Sequence, residues 1–216
     1  MFNIKKIVDL SLELNLTTPV FPGNPLPKID KVMDVTTHGI NLHELSIGSQ
    51  CGSHCDAPYH FREDGQTVDQ SPLNDFIGEA VVISVINKEE QEEITLNDLQ
   101  PYMDQLEKGK VVLFRTDWSQ YIGQEKFYKH PYASMEVINF CLEKGIRTFG
   151  VDCINLDKTG GTTYPVHEKL AEVGGMIIEN LTNFSAIDFD KPIFCAFPLK
   201  ISGADGSPVR AIAMQL

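Results

Sequence analysis

Four short runs leave this chain little choice of architecture. Ala80-Val81-Val82-Ile83-Ser84-Val85-Ile86 is nearly all apolar, and Val111 to Phe114, Thr148 to Asp152 and Met176 to Ile178 repeat the pattern more briefly. A strand with one wet face alternates polar and apolar residues, whereas a continuous apolar run marks a strand covered on both faces. Between the runs lie helix signals. Thr95 followed by Asp98 reads as a helix start, with Leu96, Leu99, Met103 and Leu106 at helical spacing and Pro101 set to kink or split it. Ser134 caps a helix whose apolar positions are Val137, Ile138, Cys141 and Leu142, ending at Gly145. Strand, helix and strand in that order predict a parallel, right-handed crossover. A further short helix is expected over Pro165 to Ala171, broken by Gly174-Gly175 ahead of the next strand.

The flanking segments add strands of another kind. Ile4 to Leu14 reads as a strand of mixed burial. Thr17 to Pro27 holds four prolines and a glycine and must be loop. Lys28 to Thr37 is expected to pair antiparallel with His43 to Asp56 through a loop containing Gly39. Ile193 to Leu199 and Val209 to Met214 read as closing strands joined through a turn, Gly203-Ala204-Asp205-Gly206-Ser207-Pro208. No internal repeat and no linker divides the chain, so the reading is α/β: one domain over residues 1–216, with a mixed sheet and few helices.

Charge and cysteine usage narrow the function classes. A formal net charge of -12 at pH 7 offers no basic patch for a phosphate backbone, which argues against nucleic acid. The run Glu89 to Glu93 reads as solvated surface. Over Met1 to Leu16, Asp9 and Glu13 interrupt the apolar positions, so neither a signal core nor a membrane span is expected. Five cysteines, odd in number and scattered, read as buried thiols of a reducing compartment, and a cytoplasmic location follows.

The chemistry is concentrated in Ser49 to His60. Residues 43–56 alternate, so a strand there would carry Gln50, His54 and Asp56 on one face, beside the open space left by Gly48 and Gly52. Cys51 and Cys55 fall on the opposite face. Pro58 should end the strand, leaving His60 on the turn beyond, able to swing back over the same face. A lone histidine is more often a satisfied polar residue than a ligand; three site-type residues in register and a fourth just past the strand end favour a metal site, for zinc, manganese or iron. Partners must come from elsewhere. His167, at the start of the expected short helix, and Glu179, at the end of an otherwise apolar strand, are the candidates. The competing readings are an exposed helix residue for His167 and a salt bridge to Lys200 or Arg210 for Glu179. Arg115, Asp117, Asp152 and Asp157 also lie near strand ends, but no spacing selects them. Phe21, in the proline-rich loop, is either a plug on the core or an aromatic wall over a pocket. No G-x-S-x-G elbow is present for a serine nucleophile.

Gln50-x-Gly52-Ser53-His54-x-Asp56-x-Pro58-x-His60 resembles the H-x-G-T-H-x-D-x-P-x-H signature of the cyclase family of metal-dependent hydrolases, which includes bacterial kynurenine formamidase and isatin hydrolase. Asp9-Leu10-Ser11, Pro19 to Gly23, Arg115 to Trp118, Pro165 to His167, Ile178 to Leu181 and Pro198 to Arg210 resemble its other blocks in order. The resemblance implies a compact mixed β/α domain with a barrel-like sheet, of the swivelling β/β/α type, usually a homodimer. It implies metal ligands at His54, Asp56 (able to bridge two ions), His167 and Glu179, with His60 transferring protons. Phe21 would stand against the substrate's aromatic ring, with Trp118 as a second aromatic contact. The cofactor would be one or two divalent ions, zinc by preference and manganese as the alternative. Gln50 replaces a histidine ligand; a neutral amide oxygen is a poorer zinc ligand than imidazole and would weaken one ion, favour manganese or leave a mononuclear site. The implied activity is hydrolysis of a small amide or formamide such as N-formylkynurenine. A lactonase or cyclase acting on another carbonyl, or a non-catalytic metal- or metabolite-binding protein, are the alternatives.

Overall fold

The apolar runs lie side by side in the middle of one sheet. In the computed structural model, which describes residues 3–216, the strands are β1 (Lys6–Asp9), β2 (Lys28–Met33), β3 (Leu42–Ser46), β4 (His54–Asp56), β5 (Ile77–Ser84), β6 (Glu93–Ile94), β7 (Val111–Arg115), β8 (Tyr132–Ala133), β9 (Thr148–Val151), β10 (Met176–Glu179), β11 (Ile193–Cys195), β12 (Gly206–Pro208) and β13 (Ile212–Gln215). The helices are α1 (Val35–His38), α2 (Leu96–Leu99), α3 (Met135–Glu143) and α4 (Pro165–Val173). Part of the reading of segment 1–16 therefore concerns positions 1 and 2, outside the described residues. Among the described residues no helix is long and apolar enough to cross a membrane.

Nine strands form one mixed sheet in the order β1-β13-β11-β5-β7-β9-β10-β4-β12. β5, β7, β9 and β10 run parallel, and the others join antiparallel. The sheet curls into a half-barrel. Ser11, past β1, bridges Leu181, past β10, and the Thr182 amide donates to the Leu10 carbonyl at 2.9 Å, so the edge strand β1 is tied across the curl to β10.

Because strand side chains alternate, the central strands supply two cores at once. Leu10, Ala80, Leu113, Ile178 and Phe194 fill the concave side. Val81, Ile83, Phe114, Phe149 and Ile177 face outward and are covered by Val137 and Ile138 of α3 and Leu170 of α4. The concave side is packed tightly at Gly150, where a Cβ would meet Leu113 Cδ2 at 2.5 Å and Leu181 Cδ1 at 3.0 Å.

The helix signals operate as expected. Ser134 Oγ accepts from the Val137 amide at 3.1 Å. Thr95 and Asp98 form a reciprocal capping box, and Pro101 converts the rest of that segment into a 3-10 stretch over Gln100–Gln105.

Three expectations change. The single strand 43–56 is two: β3 ends at Ser46 and β4 begins at His54. Between them the chain leaves the exposed β2–β3 hairpin, turns at Ser49–Gln50, and passes through Gly52 at φ +63° before entering the sheet. The strand expected to reach Thr37 stops at Met33, where Asp34 caps the one-turn helix α1. The turn at 203–208 contains β12, an edge strand that pairs with β4 and ends in Pro208, where a missing N–H costs no ladder bond.

Outside the sheet, His130 is buried and fully bonded. The Pro131 carbonyl, 2.7 Å from Nδ1, can only accept, so Nδ1 carries the proton and Nε2 accepts from Thr159 Oγ1 at 2.8 Å. Burial holds its pKa down to about 4. The unfolded chain protonates this imidazole below about 6.5 while the fold resists until about 4, so its contribution is intact above 6.5 and lost as pH falls through that window, on the order of 3 kcal/mol. Urea unfolding of wild type and His130→Asn at pH 7 and pH 4.5 tests this: the variant should lose markedly less stability on acidification than wild type.

Candidate metal centre

Three residues, His54-Cys55-Asp56, make up β4, and the strand is paired on both sides, by β10 and by β12. Its register with β10 sets Glu179 directly opposite His54 and Ile177 opposite Asp56. Alternation then decides the faces. Cys55 and Ile178 turn into the concave core, while His54, Asp56 and Glu179 project from the other side, under α4. Cross-strand neighbours lie close enough to share a ligand. One donor atom each from His54, Asp56 and Glu179 fall within 4.8 Å of one another.

His167 enters from α4, and a single carboxylate fixes it there. Pro165 occupies the first turn and Tyr164 gives no side-chain cap. Asp157 caps in its place, accepting from the Val166 amide at 3.1 Å and the His167 amide at 3.0 Å. The same carboxylate lies 2.7 Å from His167 Nδ1. His167 Nε2 is thereby aimed at Asp56 Oδ2 and Glu179 Oε1, each 3.3 Å away. His54 is turned by the opposite device: its Nδ1 donates to the Gly52 carbonyl at 2.8 Å, which leaves Nε2 facing Asp56 Oδ1 at 3.5 Å and Glu179 Oε2 at 3.6 Å. Gly52 is needed for this, since its φ is positive and a Cβ would meet Thr18 Cγ2 at 2.8 Å.

The electrostatics ask for a cation. All four side chains are buried, at 4–5% exposure. With its proton on Nδ1, His54 points a lone pair at two carboxylates, a repulsive contact until something positive sits between them. Asp56 Oδ1 is buried without a hydrogen-bond partner among the described residues. Burial opposes charge on His167, but Asp157, Asp56 and Glu179 outweigh it and raise its pKa well above the ordinary value. Burial likewise opposes ionisation of Asp56, and its neighbours, the hydrogen bond with His167 foremost, outweigh it, so its pKa lies below the ordinary carboxylate value. Two imidazole nitrogens and two carboxylates, one of them with an orphaned oxygen, form a donor set that fits a divalent ion. The salt bridges considered for Glu179 do not form. Its Oε1 accepts from the Leu156 amide at 2.8 Å, and Arg210 pairs with Asp9.

A cavity of about 220 Å³ opens over these residues, lined also by Phe21, Asn24, Gln50, His60, Phe61, Ile154, Asn155 and Tyr164. His60 stands at its rim on the 3-10 turn Pro58–His60, with Nδ1 2.8 Å from Asp205 Oδ2. Burial works against charge on His60, but the bond to Asp205 and the charges of Asp56 and Asp205 raise its pKa above the usual histidine value. Gln50 reaches the cavity from a turn and not from a strand face, and its Nε2 donates to Asp205 Oδ2 at 2.9 Å.

Phe21 lies in the wall, its ring 6.3 Å from that of Tyr164. Trp118 does not join it: this residue is buried in the outer core and donates from Nε1 to the Lys126 carbonyl at 3.0 Å. Arg115 and Asp117 pair with each other. Asp152 accepts from Thr116 and from the Asp117 amide away from the cavity, and burial pushes its pKa up to about 6. Sequence reasoning placed Asp157 near a strand end without selecting it, and missed Asp205, Phe61 and Tyr164 as residues of the site. For Phe61 and Tyr164 the available signal was adjacency to His60 and to Pro165-Val166-His167.

In sequence and in overall fold the chain is similar to known proteins. The family model "Putative cyclase" matches residues 8–158. The chain is 31% identical to the kynurenine formamidase of Bacillus cereus over 207 residues, covering 95% of each protein. It superposes on isatin hydrolase A of Labrenzia aggregata, bound to benzyl benzoate, with a TM-score of 0.88 at 28% identity, over 97% of this chain and 93% of that one. An isatin hydrolase bound to the product analogue thioisatinate gives a TM-score of 0.90 at 24% identity, over 97% and 92% of the two chains, a likeness of fold.

Asp157→Asn should separate orientation from coordination. The amide keeps the shape of the cap but withdraws the charged acceptor from His167, so affinity for zinc, measured by competition with a chromophoric chelator, should fall ~10–100-fold. The melting temperature of the metal-free chain should drop only modestly, by the equivalent of about 1 kcal/mol.

Proposed function

The chain belongs to the cyclase family, and on that premise we propose that it is a metal-dependent hydrolase of a small aryl formamide such as N-formylkynurenine, acting on a C–N bond other than a peptide bond. The observation that carries this reading is the convergence of His54 and His167 Nε2 on the carboxylates of Asp56 and Glu179, with Asp56 Oδ1 lacking a hydrogen-bond partner among the described residues. These four residues would hold the ion, zinc by preference given two imidazoles, with manganese as the alternative. A bound divalent ion supplies Lewis acidity, bringing the pKa of water toward 7 and polarising a carbonyl.

The protein's residues do the remainder. Phe21, Phe61 and Tyr164 form an aromatic wall, with ring centroids 5.7–6.3 Å apart, that suits a planar aryl group. His60, outside the four-residue cluster, moves a proton: the carbonyl carbon gains an oxygen from water, the C–N bond breaks, and the water's proton is delivered to the departing nitrogen. Formate and a free arylamine result. General acid–base transfer of this kind contributes ~10²–10⁴-fold.

The β2–β3 hairpin exposes Val32, Val35, Ile40, Leu42 and Leu45, none of which belongs to either core. An apolar surface of that kind supports a homodimer. Five free cysteines, all buried, support a reducing, cytoplasmic setting.

His60→Ala should retain its metal by elemental analysis while turnover of N-formylkynurenine falls at least ~100-fold. Metal lost with the ring would make His60 a ligand instead. Hydrolysis of lactones but not of the formamide would move the protein to the lactonase alternative, and bound metal with no turnover on either would make it a binding protein. Leu45→Asp in the hairpin should shift the sedimentation coefficient from dimer to monomer; an unchanged dimer would exclude this surface.

A further inference from the structure

Opposite the metal-facing side of the cavity, His60 is held by a cluster that the four candidate ligands leave unexplained. Its Nδ1 lies 2.8 Å from Asp205 Oδ2. A carboxylate cannot donate, so Nδ1 carries a proton, and Nε2, which has no protein partner among the described residues, is left facing the cavity side of the ring for proton exchange. Asp205 is itself fixed from two further sides. Ser49 Oγ donates to its Oδ1 at 2.8 Å and Gln50 Nε2 to its Oδ2 at 2.9 Å.

Its backbone is anchored as well. The Asp205 carbonyl accepts from the Ala57 amide at 2.9 Å, the Ala204 carbonyl from the Val68 amide at 2.9 Å, and the Gly203 amide donates to Asp69 Oδ1 at 3.0 Å. Gly206 then lets β12 pass close to β4, since a Cβ there would collide with the Cys55 carbonyl and with the Gln50 amide. Gln50 thus directs a donor, the end of an amide that cannot bind a metal, at a carboxylate.

We infer that Asp205 is a positioning residue that fixes the His60 ring for proton transfer through its Nδ1–H contact, and that Gln50 serves Asp205 rather than the metal. The inference rests on the reading of His60 as the proton-transfer group. It also gives Gln50 a function that does not depend on imidazole. A histidine at position 50 presents ring nitrogens whose protonation varies, whereas the glutamine amide nitrogen always donates. Ser49 and Gln50 together leave Asp205 Oδ2 shared between one fixed donor and His60, so rotation of the imidazole would break a charge-assisted bond.

The test uses Asp205→Asn and Gln50→Ala, each alone and combined with His60→Ala, in the full chain. Metal content, kcat and KM on N-formylkynurenine, thermal unfolding, and the ¹⁵N shifts of His60 in the metal-free protein are measured. Expected for Asp205→Asn and Gln50→Ala alike are full metal content, KM within about twofold and kcat lowered at least ~10-fold, with no further loss when added to His60→Ala, because groups acting as a unit are not additive. The ¹⁵N spectrum should report the Nδ1–H form in wild type and a mixture of tautomers in Asp205→Asn. Loss of metal in Gln50→Ala would make Gln50 a ligand and overturn its assignment. An undiminished kcat loss in the His60→Ala background, or the Nε2–H form in wild type, would overturn the role of Asp205. Full turnover by His60→Ala would instead defeat the underlying reading of His60, while the ¹⁵N spectrum still decides the Asp205 contact.

Discussion

The antiparallel pairing of β4 with β10 is the constraint from which the site follows. It opposes His54 to Glu179 and brings Asp56 onto the same face, while Cys55 and Ile178 go to the concave core. With a side-chain period of two, a slip of β4 by one residue would turn His54 and Asp56 into the apolar core, away from Glu179, and bring Cys55 to their side. Several features hold the register. β12 pairs with the far edge of β4, Ser53 Oγ donates to the Asn180 carbonyl at 2.6 Å, and the Gly52 carbonyl accepts from Asn180 Nδ2 at 3.0 Å. A three-residue strand gains its rigidity from these neighbours, since so short a ladder has little of its own.

Around that pairing the chain has arranged buried charge that apolar surroundings would reject. Isolated carboxylates at this depth are costly, and two facing each other more so. The structure answers with oriented partners: the Leu156 amide on Glu179, the Gly52 carbonyl behind His54, and Asp157 behind His167. Each histidine is turned by a group behind its Nδ1, so that both Nε2 atoms face the acids. Asp157 joins two scales of structure, because the carboxylate that satisfies the first amides of α4 also sets the ring of its third residue. Helix placement and donor orientation cannot drift apart.

The cavity has two sides. The buried side holds the four-residue cluster; the rim holds His60 on its 3-10 turn, tied to Asp205 and through it to Ser49 and Gln50. Aromatic rings span the opening. Phe61 contacts both sides, its ring 4.9 Å from that of His60 and 4.8 Å from that of His167. Trp118, the single tryptophan, lies in the outer core instead. Phenylalanine and tyrosine, not tryptophan, supply the rings at the opening.

Much of this was written locally. Continuous apolar runs announced strands covered on both faces because a buried strand has no polar side to show, and Ser134, Thr95, Pro101 and Gly145 act within a few residues of where they stand. The spacing of His54 and Asp56 put them on one face for the same local reason, the period of a strand. Gln50 shows where such reasoning ends: alternation extended the strand through it, but Gly52 breaks the strand and a turn carries the residue to Asp205, 155 positions away. Glu179 and His167 were legible as residues whose charge or chemistry needed a partner, not as partners of each other. Only the register of β4 against β10, the docking of α4 and the return of β12 decided that, because contacts between distant segments are set by packing and pairing that no local pattern encodes.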